Sequence, residues 1–316
     1  MHRIRQFWRA RTRWQRIALA IGGLFVVFAA LVYMWLLRDL PSIDDLEAGM
    51  ALPSTRILDR YGRLLYQIAD PETGVNQVIA LDDLPASLAQ ATVATEDANF
   101  YRHPGVDIEG IARALWINVR GGEVVAGGST ITQQVVRNLL LDPEQRAERT
   151  LRRKLRESIL ALELTARMSR DDILALYLNQ TYYGNMAYGV QAAARAYFGK
   201  DAADLSLAES AMLAGLPQAP ALYDPLSNPE AAKARQRVVL DLMARQGYIT
   251  QAEADLAYEE ALHYAAVPYP IEAPHFVAAV WTQLQRQFPD ELYSGGLEVV
   301  TTLDLDWQNA AQDAVV

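Results

Sequence analysis

The chain of 316 residues contains no cysteine. Disulfide cross-links and thiolate chemistry are therefore excluded, while the redox character of its compartment stays open. Histidine is sparse, at four residues with no close pairing, so no zinc-like spacing exists. Positive charge is not in excess. The net charge is −9, which argues against a general nucleic-acid role. No internal repeat or low-complexity tract is present. What the chain does have is apolar residue, 51% against 21% charged, enough for a sizeable core and too apolar for general disorder.

The charge is unevenly spread. Residues 1–16 hold Arg3, Arg5, Arg9, Arg11, Arg13 and Arg16 and no acid, and Ile17–Leu37 that follows carries no charge at all. About 20 apolar residues span a bilayer. Trp14, Tyr33 and Trp35 lie near the two ends of the run, where aromatic anchors sit. A cleaved signal peptide is the rival reading, but the run is long for one and no clean small-residue cleavage site follows. An uncleaved anchor with its N-terminus in the cytoplasm is expected, given the arginines before it against Arg38, Asp39, Asp44 and Asp45 after it. The chain then divides into a basic tail (1–16), a transmembrane helix (17–37), a connector (38–54), a main domain (55–250) and a linker (251–316).

Within the main domain, Thr55–Tyr66 predicts two short strands about an Asp-Arg-Tyr-Gly turn. Helices are predicted over Asp82–Glu96 with Pro85 in the first turn, Ile108–Val119, Thr130–Leu141 with Ser129 as N-cap, and 147–167. The last of these shows an apolar stripe of Leu151, Leu155, Ile159, Leu162 and Ala166. Further helices are predicted over Asp171–Asn179, capped by Ser169, and over Gly189–Tyr197, Ser206–Leu216 and Pro229–Gln246. Gly296–Leu303 reads as a late strand. Tyr182-Tyr183-Gly184 and Tyr197-Phe198-Gly199 flank an alanine-rich helix as packing and capping elements.

The chemistry-bearing residues concentrate in Ala94–Asn138. Glu96 ends an apolar helix, where the negative end of the dipole and partial burial both raise a carboxyl pKa and make a better proton acceptor. Alone, a surface Glu-Asp pair explains it as well. Thr130, Gln134 and Arg137 recur at i, i+4 and i+7, opposite Ile131, Val135 and Leu139, which predicts hydroxyl, amide and guanidinium facing outward together. The preceding Gly127-Gly128 step suggests backbone N–H groups free for an anion, although the loop lacks the Walker lysine and the Rossmann spacing. A third element is Arg152-Arg153-Lys154-Leu155-Arg156-Glu157. Its Arg153 and Glu157 meet at i, i+4, either as a solvated ion pair or as part of a basic face for a diphosphate.

Together these residues resemble the family 51 peptidoglycan glycosyltransferase domain of class A penicillin-binding proteins and monofunctional transglycosylases. The motifs occur in family order over roughly residues 50–250: Glu96-Asp97-Ala98-Asn99-Phe100-Tyr101-Arg102-His103-Pro104-Gly105; Gly128 to Gln134 with Arg137-Asn138; Arg153 to Glu157; Gly184 through Tyr197-Phe198-Gly199-Lys200 to Pro217; and Arg237-Val238-Val239-Leu240 with Met243. Departures are Arg137 where the family usually has lysine, Met186 where glycine is common and Thr165 in place of a frequent glutamate.

The resemblance implies a mainly α, lysozyme-like fold with a head and a membrane-facing jaw, the jaw at Ile111–Gly128 with Trp116 and Val124-Val125 toward lipid, preceded by the transmembrane helix. It implies a substrate, lipid II, and a growing glycan strand at the outer face of a bacterial inner membrane. Glu96 would be the general base and Glu157 a second catalytic carboxylate. Asp97, Phe100, His103, Ser129, Thr130, Gln133, Gln134, Arg137, Asn138, Arg153 and Lys154 would bind substrate or shape the cleft. A divalent cation, Mg2+ or Mn2+, bridged by the substrate diphosphate is expected, with no protein metal site. Membrane lipids and cell-wall synthesis proteins are the other expected partners; nucleic acid is not. Ser-x-x-Lys, Ser-x-Asn and Lys-Thr-Gly are missing, so no penicillin binding is expected of these residues, although Leu297–Val316 resembles the lead-in to a transpeptidase domain. The alternatives are a lytic enzyme on the same frame, or a non-catalytic membrane-anchored scaffold.

Overall fold

The structure, a computed structural model, describes residues 13–46, 48, 50, 52–70, 74–112, 128–148, 150–265, 270–289 and 291–314, without the side chains of Arg16, Leu19, Ala20 and Ser294. Most of the expected jaw and of the helix over Ile108–Val119, Gly127 and all but the last residues of the basic tail lie outside them. The described chain is mainly helical, as expected. It opens with α1, Arg13–Leu37. Among the described residues no helix is long and apolar enough to cross a membrane; the stretch of α1 whose side chains are described without a break runs from Ile21 to Leu37.

Strands β1 (Arg56–Leu58) and β2 (Leu64–Gln67) pair antiparallel. The turn between them is organised by buried Asp59, whose carboxylate accepts from the Tyr61 and Arg63 amides and from Arg63 Nε at 2.8 Å. Strand β3 (Val75–Asn76) follows, then α2 (Ala86–Glu96). The predicted start at Asp82 is not where α2 begins. Leu81–Asp83 is a separate 3-10 turn, because Pro85 keeps the preceding residue out of the helical region.

Next come α3 (Ile131–Leu140), α4 (Pro143–Ala147), α5 (Leu151–Arg167) and α6 (Arg170–Gln180). Strand β4 (Ala187–Tyr188) pairs parallel with β3. Helices α7 (Val190–Phe198), α8 (Leu207–Gly215), α9 (Pro220–Tyr223), α10 (Pro229–Arg245) and α11 (Gln251–Glu259) complete the main body. The last elements are α12 (Pro274–Gln287), α13 (Glu291–Ser294), β5 (Glu298–Val300) and α14 (Leu305–Asp313). The late strand is thus present, and it runs parallel to β1 in the order β2-β1-β5. Val277, Leu284 and Leu292 pack with Ile57, Leu65 and Ile68, so the segment after residue 270 folds back on the first hairpin.

Alanine decides how α2 is held. Ala91 and Ala94 meet Ala208, Ala211 and Ala214 of α8 and Val239, Leu240 and Met243 of α10. Small side chains let these three helices approach closely, which fixes the C-terminal end of α2, where Glu96 sits.

The predicted stripe on α5 is corrected. Leu151, Leu155 and Leu162 are exposed, and the buried residues are Arg156, Glu157, Leu160, Ala161 and Leu164. Two stripes fit the helical period, and the ion pair of Glu157 disguises the inner one as polar. Gly105 also packs against α5. Its φ is +102°, and a Cβ placed there would lie 2.4 Å from the Ala161 carbonyl oxygen. Gly105→Ala is expected to destabilise the fold by about 2–3 kcal/mol, from the backbone penalty and the overpacking together. Thermal unfolding of the variant measures this; an unchanged midpoint would show that α5 gives way freely.

Candidate active site

Glu96 is the last residue of α2 and is half-buried. Its Oε2 accepts from Gln134 Nε2 at 2.7 Å. Desolvation raises its pKa most, and neighbouring Asp97 adds to the rise; the Gln134 bond and the charges of Arg235 and Arg137 act against it. The net direction is upward, as the sequence predicts for a proton acceptor. Buried Tyr177 and Tyr183 feel the Glu96 charge too, and burial with that charge pushes both phenols above their ordinary value.

Asp97 turns the other way. Its carboxylate accepts from the Ile131 amide at 3.0 Å and sits 2.9 Å and 3.0 Å from His103 Nε2, while His103 Nδ1 accepts from the Gly105 amide at 3.1 Å. Phe100 is fully buried beneath, with the Arg170 guanidinium 5.7 Å from its ring centre; Arg170 also donates to the His103 carbonyl. Asp97, Phe100 and His103 therefore tie the end of α2 to the start of α3. They support the site from behind.

Three expectations about α3 are corrected. The N-cap is Thr130, not Ser129: Thr130 Oγ1 accepts from the Gln133 amide and the Gln133 side chain accepts from the Thr130 amide, a capping box. Thr130 is consequently buried, with its hydroxyl donating to the Gly105 carbonyl at 2.7 Å, and does not share the outward face with Gln134 and Arg137. The amides of Thr130, Ile131 and Gln133 are also engaged, that of Ile131 by Asp97. The anion at this helix N-terminus is thus the chain's own carboxylate, favourably placed against the dipole.

The third motif is assembled as expected at α5. Glu157 is fully buried, with Oε1 accepting from Arg153 Nη1 at 2.5 Å and Oε2 lying 3.5 Å from Lys154 Nζ. Lys154 also donates to Ser129 Oγ at 2.7 Å and to Gln133 Oε1 at 3.1 Å. Burial lowers the Lys154 pKa most; Glu157 opposes this, and Arg137 and Arg153 reinforce it. Arg137 therefore bears on both Glu96 and Lys154, and links the two carboxylate clusters. Asn138 follows it, half-buried on α3.

Sequence reasoning alone does not reach Arg235. This residue of α10 lies in the neighbourhood of Glu96, its Nε donating to the Gly215 carbonyl at 3.3 Å and its guanidinium 5.6 Å from the Tyr223 ring centre. Burial pushes its pKa down and Glu96 pushes it up. A signal exists: Ala232, Gln236, Val239, Leu240 and Met243 are the buried positions of α10, and Arg235 lies in their register. Arg237 instead pairs outward with Asp241 and Asp255.

The Glu96 carboxyl, raised in pKa by burial and with Arg137 and Arg235 bearing on it, thus sits on a mainly helical scaffold. The chain belongs to the Transglycosylase family, whose profile matches residues 61–244. It is similar to penicillin-binding protein 1A of Neisseria lactamica, 39% identical over 87% of this chain and 34% of that protein. It is also similar to penicillin-binding protein 1A of Aquifex aeolicus, 38% identical over 95% of this chain and 39% of that protein. The chain thus spans little more than a third of the length of the curated relatives it matches. A crystal structure of penicillin-binding protein 1A from Haemophilus influenzae aligns at 25% identity with a TM-score of 0.45, over 84% of this chain and 29% of that one.

Proposed function

We propose that this chain is a peptidoglycan glycosyltransferase that polymerises lipid II into glycan strands. The observation that carries the reading is the Glu96 carboxyl, raised in pKa by burial and set against Gln134, Arg137 and Arg235. Glu96 would take the proton from the acceptor's 4-hydroxyl as that oxygen attacks the anomeric carbon of the growing chain. The bond to undecaprenyl diphosphate breaks with inversion in a single displacement. Arg137, Arg153 and Lys154 would stabilise the charge on the leaving diphosphate, and Glu157 would hold Arg153 and Lys154 in place. Under the anchor reading of 17–37, with a head and a membrane-facing jaw outside the membrane, this site would lie where a lipid-linked donor is found.

The expected divalent cation has no protein cradle among the described residues. No group of three or more His, Asp or Glu side chains converges there, and both Glu157 oxygens already face cations. A cation held by the diphosphate of the substrate itself is the arrangement we expect.

Incubating the purified protein with labelled lipid II tests the reading. Polymer is the expected product; cleavage of finished glycan would make it a lytic enzyme, and neither product a scaffold. Arg153→Ala separates a diphosphate ligand from a mere ion pair. Weaker binding of lipid II and of the diphosphate-lipid product is expected, alongside a stability loss of about 3–5 kcal/mol from leaving the buried Glu157 carboxylate with Lys154 alone. Unchanged binding with a lowered melting temperature would reduce Arg153 to a partner of Glu157.

A further inference from the structure

A second cationic feature lies between α4 and α5. Leu141, Gln145, Glu148, Arg152, Arg153 and Arg156 line a cavity of about 80 Å³. Arg153 commits Nη1 to Glu157. Arg152 and Arg156 are different: their hydrogen bonds go to backbone carbonyls, Arg152 Nε to Trp35 at 2.8 Å and Arg156 to Asp39. Arg156 is 5% exposed, and its Nε has no hydrogen-bond partner. The acids that bear on it are Asp39 and Glu148. Asp39 pairs with Arg38, and Glu148 accepts the Thr150 hydroxyl. Burial, and then the like charge of Arg152, lower the Arg156 pKa, so its charge is under-compensated where it stands.

We infer that this cavity binds the phosphate diester of an anionic membrane phospholipid, between the guanidinium groups of Arg152 and Arg156. Both carbonyls they hold belong to residues 35–39, where α1 ends. The inference rests on the anchor reading, under which those residues lie at the depth of the lipid phosphates. Guanidinium groups on the lining of a cavity, as Arg152 and Arg156 are here, are strong phosphate ligands. The exposed Leu151 and Leu155 on the same helix, 73% and 39% accessible, supply apolar surface for the adjoining acyl chains, which a free anion would not need. The cavity is small, sized for a phosphate group rather than for a disaccharide diphosphate.

The test uses the full chain in a neutral detergent, with phosphatidylglycerol, phosphatidylcholine or inorganic phosphate added, and reads lipid retention by native mass spectrometry and the thermal midpoint. The expected result is preferential retention of one phosphatidylglycerol and a raised midpoint. Arg152→Gln and Arg156→Gln should each cut the preference about fivefold to tenfold. Arg152→Lys should keep most of it, and it serves as the control if Arg156→Gln fails to fold. An equal Arg-dependent shift with inorganic phosphate would sink the lipid assignment in favour of a small-anion site. Equal retention of both lipids by wild type, or of phosphatidylglycerol by wild type and Arg152→Gln, would overturn the site itself. A chain that remains monodisperse without detergent would instead sink the anchor reading.

Discussion

Glu96→Gln is expected to lower lipid II polymerisation by about 10²–10⁴ while the protein remains folded, because the amide cannot accept the acceptor's proton. Its size is close to that of the carboxyl and it can still meet Gln134, so the packing of Ala91 and Ala94 around α2 is left intact. The raised pKa carries a pH dependence with a definite sign. Under the proposed function the base works only when ionised, so kcat/KM should fall as pH drops through the raised folded pKa. Stability moves oppositely: the folded state holds its proton to higher pH than the unfolded chain does, so the contribution is complete below the unfolded pKa and is lost as pH rises through the folded one. Glu96→Gln should remove that part of the stability profile. Turnover near normal in a folded variant, at any pH, would take Glu96 out of the mechanism.

Asp97→Ala should be costly in another way. Its carboxylate is the acceptor for the Ile131 amide and for His103, and both are buried. Removing it orphans two donors and strips the α3 dipole of its anion, a loss of about 3–5 kcal/mol, or roughly 10 °C in melting temperature for a domain of this size. Activity should fall with it, since Gln134 and Arg137 ride on α3. Asp97→Asn retains one acceptor oxygen and should recover part of the stability. Equal melting temperatures for wild type and Asp97→Ala would show that α3 does not need this anion.

The order of the helices and the position of Glu96 were legible in the sequence, because apolar period and helix ends are local signals. So was the Arg153–Glu157 pair, whose geometry follows from helical pitch alone. What was not legible depends on partners distant in sequence. Thr130 and Ser129 are adjacent capping candidates, and only the Gly105 carbonyl, 25 residues away, selects the first. The amides at that helix start looked available because nothing near them in sequence revealed that Asp97 would occupy them. Arg235 belongs to the site only because α10 packs on α2 and α8. The outer leucines of α5 resemble an inner stripe because a buried glutamate held by two cations looks, residue by residue, like surface.

The pairing of β5 with β1 has a consequence for synthesis. Arg56 and Glu298, paired across the two strands, are 242 residues apart. At translation rates of 5–20 residues per second the first strand waits roughly 12–50 s before its neighbour exists. During that time it has only β2 beside it, and a two-stranded hairpin is marginal in water. The body between α2 and α10 draws on contacts made within a shorter stretch and can consolidate first, whereas the sheet must close a very long loop before any bond rewards it. Nascent chains should therefore remain open to proteases at Arg60–Gly62 after the helices from α2 to α10 have become resistant.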